Sequence, residues 1–223
     1  MKSLKVGFVT VGQSPRVDVV PQIARLTGDG LEYSECGALD SLSLDQIKKL
    51  APRAGEYLLV TRLRDGTSVE ISRRRIMKYV QDCMTQLENS GVDLTVMLCT
   101  GDFPELKSKH PILMSDRLLS SFIDSLQLTG GLGVVIPDKK QISQARQRWS
   151  RPGRTIRLEA ASPYQRMHSI VQAARRLARS PPDIVVLDCI GFSPEMKENI
   201  KRIVKRPVLL PSSIIARMLA ELS

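Results

Sequence analysis

The chain has 223 residues, 42% of them hydrophobic and 25% charged, and a formal net charge of +10. This length suits one large α/β domain or two small ones with a core that needs no staples, and four cysteines with no C-x-x-C pair argue against a disulfide scaffold, a zinc ribbon or a thioredoxin-like site. No apolar run approaches the roughly 20 residues of a membrane span, and Met1-Lys2-Ser3 leads straight into a strand-like run with no cleavage site, so a cytoplasmic chain with reduced thiols is expected.

Residues 5–11 (KVGFVTV) read as a buried strand that gives way, through Gly12-Gln13-Ser14-Pro15-Arg16, to a helix over 17–26. A second strand follows at 31–35 and a short helix at 39–50, which Pro52 and Gly55 bring to an end. Residues 57–62 and 68–71 flank Arg64-Asp65-Gly66-Thr67. Asp-Gly readily adopts the positive φ of a tight turn, so this segment predicts a hairpin, an antiparallel addition to an otherwise parallel sheet. Ser72 is a candidate N-cap for a helix reaching residue 90, and 94–98 is another apolar strand. The second half repeats the alternation: strands at 112–114, 132–136, 155–159, 184–187 and 208–210, with helices at 116–126, 140–149, 163–179, from Pro194, and at 212–222. Strand and helix in alternation imply parallel sheets covered by helices.

The charge is concentrated. Residues 139–179 hold eleven Lys or Arg against one acid, Glu159, while the rest of the chain balances 22 bases with 22 acids. Only Trp149 and Tyr164 interrupt the run with aromatic rings, too few for a single-strand binder, so it reads as a solvated face and no nucleic-acid partner is expected. Arg73-Arg74-Arg75 likewise reads as a solvated helix face. His110 and His168 lack the spacing to other ligands that a metal site needs, so no metal is expected.

The most informative feature is an internal repeat at an offset of ninety residues. Asp93, Val96, Cys99, Gly101, Pro104, Glu105 and Lys107 fall on Asp183, Val186, Cys189, Gly191, Pro194, Glu195 and Lys197, seven identities within fifteen positions. In each half the cysteine ends an apolar strand and precedes x-Gly. The carboxyl ends of parallel strands are where ligands bind in open α/β sheets. Duplicated halves facing each other would place Cys99 and Cys189 on either side of one ligand. Moving a proton at carbon with inversion needs one base on each face, and a thiol, with an unperturbed pKa of about 8.5, can serve as either partner. Backbone N–H groups at Thr100-Gly101 and Ile190-Gly191 could stabilise a developing carboxylate or enolate charge, and Ser14 and Arg16 could hold a substrate carboxylate. A free cysteine at the end of an apolar strand is also commonly a packing residue; the duplication is what favours chemistry here. Cys36 and Cys83 have no counterpart and read as structural.

Thr10-Val11-Gly12-Gln13-Ser14-Pro15-Arg16, Asp18, Ser72-Arg73-Arg74, Leu98-Cys99-Thr100-Gly101 and Leu187-Asp188-Cys189-Ile190-Gly191-Phe192 together resemble the AroM protein family over essentially the whole chain. That family looks like a branch of the aspartate/glutamate/hydantoin racemase superfamily. The resemblance implies two similar Rossmann-like α/β domains with parallel sheets related by a pseudo-twofold axis, and cofactor-independent chemistry in the cleft between them. It places 1–101 plus 207–223 in the first domain and 102–206 in the second. Cys99 and Cys189 match the superfamily's cysteine pair. The implied activity is that of a racemase or epimerase acting next to a carboxylate or imide carbonyl. A one-cysteine decarboxylase or cis-trans isomerase, or a non-catalytic metabolite- or RNA-binding protein, is the alternative. The first loop departs from the Asp-Ser-Gly of amino-acid racemases, which disfavours glutamate or aspartate as substrate. A homodimer is common for such folds.

Overall fold

The computed structural model describes residues 3–28 and 31–223, so Met1 and Lys2 of the expected leaderless start lie outside it. It divides into two compact units, 1–118 with 215–223 and 119–214.

The first unit runs β1 (Leu4–Thr10), α1 (Val20–Thr27), β2 (Leu31–Gly37), α2 (Leu44–Lys49), β3 (Leu58–Arg62), β4 (Ser68–Ser72), α3 (Arg73–Asn89), β5 (Leu94–Met97), β6 (Ile112–Met114) and the start of α4 (Ser115–Asp124). β1 is buried along its whole length from Val6, as a strand covered on both faces must be, and the sheet order is β2-β1-β5-β6, all parallel. The expected hairpin forms, but as a separate two-stranded sheet and not as an edge of the parallel one. Its side chains explain the difference: Leu59 and Ile71 sink into the core beside Val9, Met97 and Ile76, which lays the hairpin against the core. Ser72 occupies the N-cap position of α3 without capping it through its hydroxyl. The helix expected over 39–50 is confined to α2, where Ser43 and Gln46 form a capping box.

The second unit continues with β7 (Leu132–Ile136), α5 (Ile142–Trp149), β8 (Ile156–Ala160), α6 (Met167–Ala178), β9 (Ile184–Leu187), α7 (Pro194–Val204), β10 (Val208–Leu209) and the first residues of α8 (Pro211–Leu222). Its sheet order, β10-β9-β7-β8, is again parallel throughout. Position by position it matches the first sheet: β7 takes the place of β1, β8 of β2, β9 of β5 and β10 of β6. Alternation along β9 feeds two separate cores. Val185 and Leu187 join Ile170, Leu177 and Ile200, whereas Ile184 and Val186 join Leu119, Ala145 and Trp149. α6 starts later than expected, at Met167, because residues 161–166 form a loop above the end of β8.

The cysteines depart from a uniformly reduced set. Cys36 is the penultimate residue of β2 and Cys83 lies on the buried face of α3, and the two are joined in a disulfide with Cα atoms 5.5 Å apart. α3 packs directly across β2, which sequence spacing alone does not reveal. Cys99 and Cys189 are buried and take part in no disulfide among the described residues. No helix among the described residues is long and apolar enough to cross a membrane.

Candidate functional site

The two cysteines of the repeat occupy closely matching local geometry. Beyond β5, Leu98 N–H bonds Val9 O at 2.8 Å and Cys99 N–H turns back to Met97 O at 2.9 Å. Beyond β9, Asp188 N–H bonds Val135 O at 2.8 Å and Cys189 N–H bonds Leu187 O at 2.9 Å. Each cysteine therefore sits just past the carboxyl end of a central strand, on a tight turn, at 8% and 5% exposure. Gly101 and Gly191 follow in equivalent places, and a side chain at either would collide with a neighbour unless that neighbour moved. A Cβ at Gly101 would lie 2.5 Å from Leu59 Cδ2, and one at Gly191 would meet the Tyr164 ring, 2.6 Å from Cζ.

The surroundings of the two thiols differ. Leu59 and Phe103 cover the Gly101 turn, an apolar lid. At Gly191 the cover is Tyr164, whose hydroxyl stands 4.0 Å from Cys189 Sγ, within reach of a weak O–H···S hydrogen bond. Tyr164 belongs to the loop after β8, where its N–H is held by Ser162 Oγ. Cys189 also precedes a helix: Ser193 Oγ accepts Met196 N–H and caps α7. Cys99 does not, because Phe103 stands where Ser193 does in the repeat and residues 102–111 stay irregular. A helix N-terminus therefore follows Cys189 and not Cys99.

Two further groups hold these turns. Asp188, beside Cys189, points to the opposite side of the sheet, as alternation requires. It accepts hydrogen bonds from Arg148 Nη1 (2.9 Å) and Trp149 Nε1 (2.7 Å), and the Arg148 guanidinium lies over the Trp149 ring. The corresponding residue in the first half is Leu98, so this buried ion pair is peculiar to the second. On the Cys99 side, Arg73 donates to Asp102 Oδ2 at 2.7 Å and to the Asp102 carbonyl, and its guanidinium stacks over Tyr57, whose hydroxyl accepts Asp102 N–H. Of Arg73-Arg74-Arg75, Arg74 is exposed as a solvated face would have it, whereas Arg73 and Arg75 are partly buried; Arg74 and Arg75 both pair with Glu56. The basic run at 139–179 is mostly exposed, as a solvated face is, although Arg148, Arg151, Arg154 and Arg176 each face a carboxylate and Arg148 and Arg154 are largely buried.

The first loop is rigid. Asp40 accepts Ser14 N–H and Ser14 Oγ–H together with Gly37 N–H, while Gln13 N–H bonds Arg62 O. Arg16 is only 2% exposed; its guanidinium grips both Asp18 oxygens at 2.9 Å and Thr10 Oγ1 at 3.0 Å. Its charge is therefore used inside the protein, and of the two loop residues Ser14 is the more accessible. Burial pulls the Asp18 carboxyl upward, but the Arg16 hydrogen bonds and charge outweigh it and hold the group below its ordinary value of 3.8. Burial raises Glu35, which accepts Arg16 N–H, above its ordinary value despite that bond.

Of the expected site residues, Cys99, Thr100 and Gly101 lie together at the end of β5, Cys189, Ile190 and Gly191 at the end of β9, and Ser14 and Arg16 beyond β1. Tyr164, Asp188 with Arg148, and Arg73 with Asp102 complete these turns. Only Asp188 carries a sequence signal, a charge opposite Leu98 in the repeat.

The AroM protein family model matches residues 6–223. None of the curated proteins matches the sequence. Among solved structures, allantoin racemase from Klebsiella pneumoniae is similar at 15% identity and a TM-score of 0.61, covering 99% of this chain and 87% of that one. Picrophilus torridus aspartate racemase is similar at 14% identity and 0.62, covering 99% and 94%. Unliganded arylmalonate decarboxylase is similar at 11% identity and 0.61, covering 98% and 93%. At these identities the likeness is one of fold, that of two Rossmann-like α/β domains.

Proposed function

The chain belongs to the AroM protein family, and from that premise we propose that it is a cofactor-independent isomerase that racemises or epimerises a small carboxylate or cyclic imide, with Cys99 and Cys189 as acid and base on opposite faces of one carbon. The observation that carries this reading is the duplicated strand-end turn, in which each thiol sits beyond a central parallel strand with a side-chain-free glycine two residues on. Backbone N–H groups of Gly101, Ile190 and Gly191 lie on these turns beside the thiols, where racemisation next to a carbonyl would need donors for a developing enolate. Similarity of fold to racemases of allantoin and aspartate supports the same class of chemistry.

In this mechanism the thiols are not equivalent. The α7 N-terminus, and a Tyr164 O–H turned to donate to sulfur, would favour a thiolate at Cys189, and no such helix follows Cys99. Cys189 would then remove the proton and Cys99 return one on the other face; the reverse direction needs the opposite protonation. The same asymmetry supports a second reading, a decarboxylase or cis-trans isomerase in which one cysteine is essential.

The test is incubation of the protein with a panel of small carboxylates and cyclic imides in D2O, followed by proton NMR and polarimetry, for wild type, Cys99→Ser and Cys189→Ser. The two-thiol reading expects exchange with inversion in the wild type and loss of inversion in both variants. Full turnover in either variant would overturn it.

A further inference from the structure

The sequence leads one to expect that Ser14 and Arg16 hold a substrate carboxylate, yet the hydrogen bonds of the first loop have the opposite polarity. Holding an anion takes donors, and the backbone donors of residues 12–16 are turned inward. Gly12 N–H bonds Thr10 Oγ1, Gln13 N–H bonds Arg62 O, Ser14 N–H bonds Asp40 Oδ1 and Arg16 N–H bonds Glu35 Oε2. Pro15 has no N–H to offer. The Arg16 guanidinium is held by Asp18 and Thr10.

The Ser14 hydroxyl is fixed in the same sense. Its proton goes to Asp40 Oδ2 at 2.5 Å, and because a carboxylate only accepts, the proton cannot turn outward without losing that bond. Asp40 is itself held in place by Ser14 N–H, Gly37 N–H and Arg64 Nη2. Gly37 is needed for this approach, since a Cβ on it would lie 2.6 Å from Asp40 Oδ1. Ser14 Oγ therefore presents lone pairs alone, and the pull of Asp40 on its proton strengthens them as acceptors. Ser14 is partly exposed. It and Cys99 follow the carboxyl ends of β1 and β5, which pair directly, so both lie at one edge of the first sheet.

We propose that Ser14 accepts an N–H of the substrate, which makes the substrate class the cyclic imide and not the simple carboxylate, with Asp40 as the positioning residue that sets the direction of the hydroxyl. This rests on the isomerase reading in taking Ser14 and Cys99 as parts of one substrate site. An imide N–H only donates and matches a group that only accepts. A carboxylate would set its own lone pairs against those of Ser14. An ammonium brings three donors, whereas Gln13 Oε1 and the Gly12 and Ser14 carbonyls each already receive an N–H.

The experiment measures binding of 2-methylsuccinimide, its N-methyl derivative and 2-methylsuccinate by calorimetry, and exchange at the carbon bearing the methyl group by proton NMR in D2O. The N–H imide should bind about ten-fold more tightly than either of the others, the effect of one hydrogen bond and of the groups left unpaired without it. Ser14→Ala should bring that ratio to about one and leave affinity for the N-methyl imide unchanged. Asp40→Asn places an amide N–H within reach of Ser14 Oγ and releases the hydroxyl proton. The ratio should fall there too while affinity for 2-methylsuccinate rises, a gain that mere loosening of the loop does not produce. Equal binding of the imide and its N-methyl derivative, tighter binding of 2-methylsuccinate, no binding of the imide, or an unchanged ratio in Ser14→Ala would each overturn the proposal. Selective binding without exchange would overturn the isomerase reading alone, and exchange of both imides at equal affinity would overturn this proposal alone.

Discussion

Replacing Arg148 with Met should destabilise the second unit severely, and the structure sets the scale. Asp188 is 7% exposed and Arg148 10%, with 2.9 Å between Nη1 and Oδ1. Removing one partner of a buried pair strands the other charge, which costs about 3–5 kcal/mol. Trp149 Nε1 still donates to Asp188, but a single neutral donor cannot compensate a carboxylate at that depth. Taking a denaturant slope of about 2 kcal/mol/M, the urea midpoint should fall by roughly 1.5–2.5 M. The assay is built in: Trp149 is the only tryptophan and is fully buried, so its fluorescence reports this unit directly. The double variant Arg148→Met/Asp188→Asn removes both charges and should be more stable than Arg148→Met alone, because no charge is left stranded. A loss below about 1 kcal/mol in Arg148→Met, or strict additivity in the double variant, would refute the reasoning.

Other outcomes follow from the same geometry. Tyr164→Phe should slow iodoacetamide alkylation at Cys189 by about five-fold, the worth of roughly 1 kcal/mol from one weak hydrogen bond, and leave Cys99 unchanged when read peptide by peptide in a mass spectrometer. Gly191→Ala should cost about 1–3 kcal/mol by overpacking against the Tyr164 ring, and more than Gly101→Ala, whose obstacle is the movable tip of Leu59. Asp18, with a folded pKa below 3.8, contributes stability that is fully present above pH 3.8 and is lost as the pH falls through the depressed value. The stability gap between wild type and Asp18→Asn should therefore be constant near neutrality and shrink in acid unfolding curves below that point. Thiol titration of the denatured protein without reductant should find Cys99 and Cys189 but not Cys36 and Cys83.

Much of this was legible in the chain because local patterns decide it. The apolar run of β1, the Asp65-Gly66 hairpin and the matching of Cys99 to Cys189 are statements about neighbouring residues or fixed offsets. What sequence reasoning missed depends on side chains that meet across long separations. Cys36 and Cys83 lie 47 residues apart and meet only because α3 crosses β2. Arg16 looked like a carboxylate binder, yet Asp18 and Thr10 take its guanidinium. Within the basic run at 139–179, Arg148 and Arg154 leave the solvated face because Asp188 and Asp124, outside the run, take their guanidinium groups. Even the repeat misleads in one respect. Pro104 and Glu105 match Pro194 and Glu195, but Phe103 cannot cap a helix as Ser193 does, and only the second half builds one.

The central claim is that two thiols serve one carbon, and it can be tested without knowing the substrate. A thiol-reactive bis-electrophile spanning about 7 to 10 Å, the room a planar intermediate needs between two contacting sulfurs, can be added to the native protein and the product digested for mass spectrometry. The account expects an intramolecular bridge between the Cys99 and Cys189 peptides. Separate single adducts on the two cysteines, with no bridge, would contradict it.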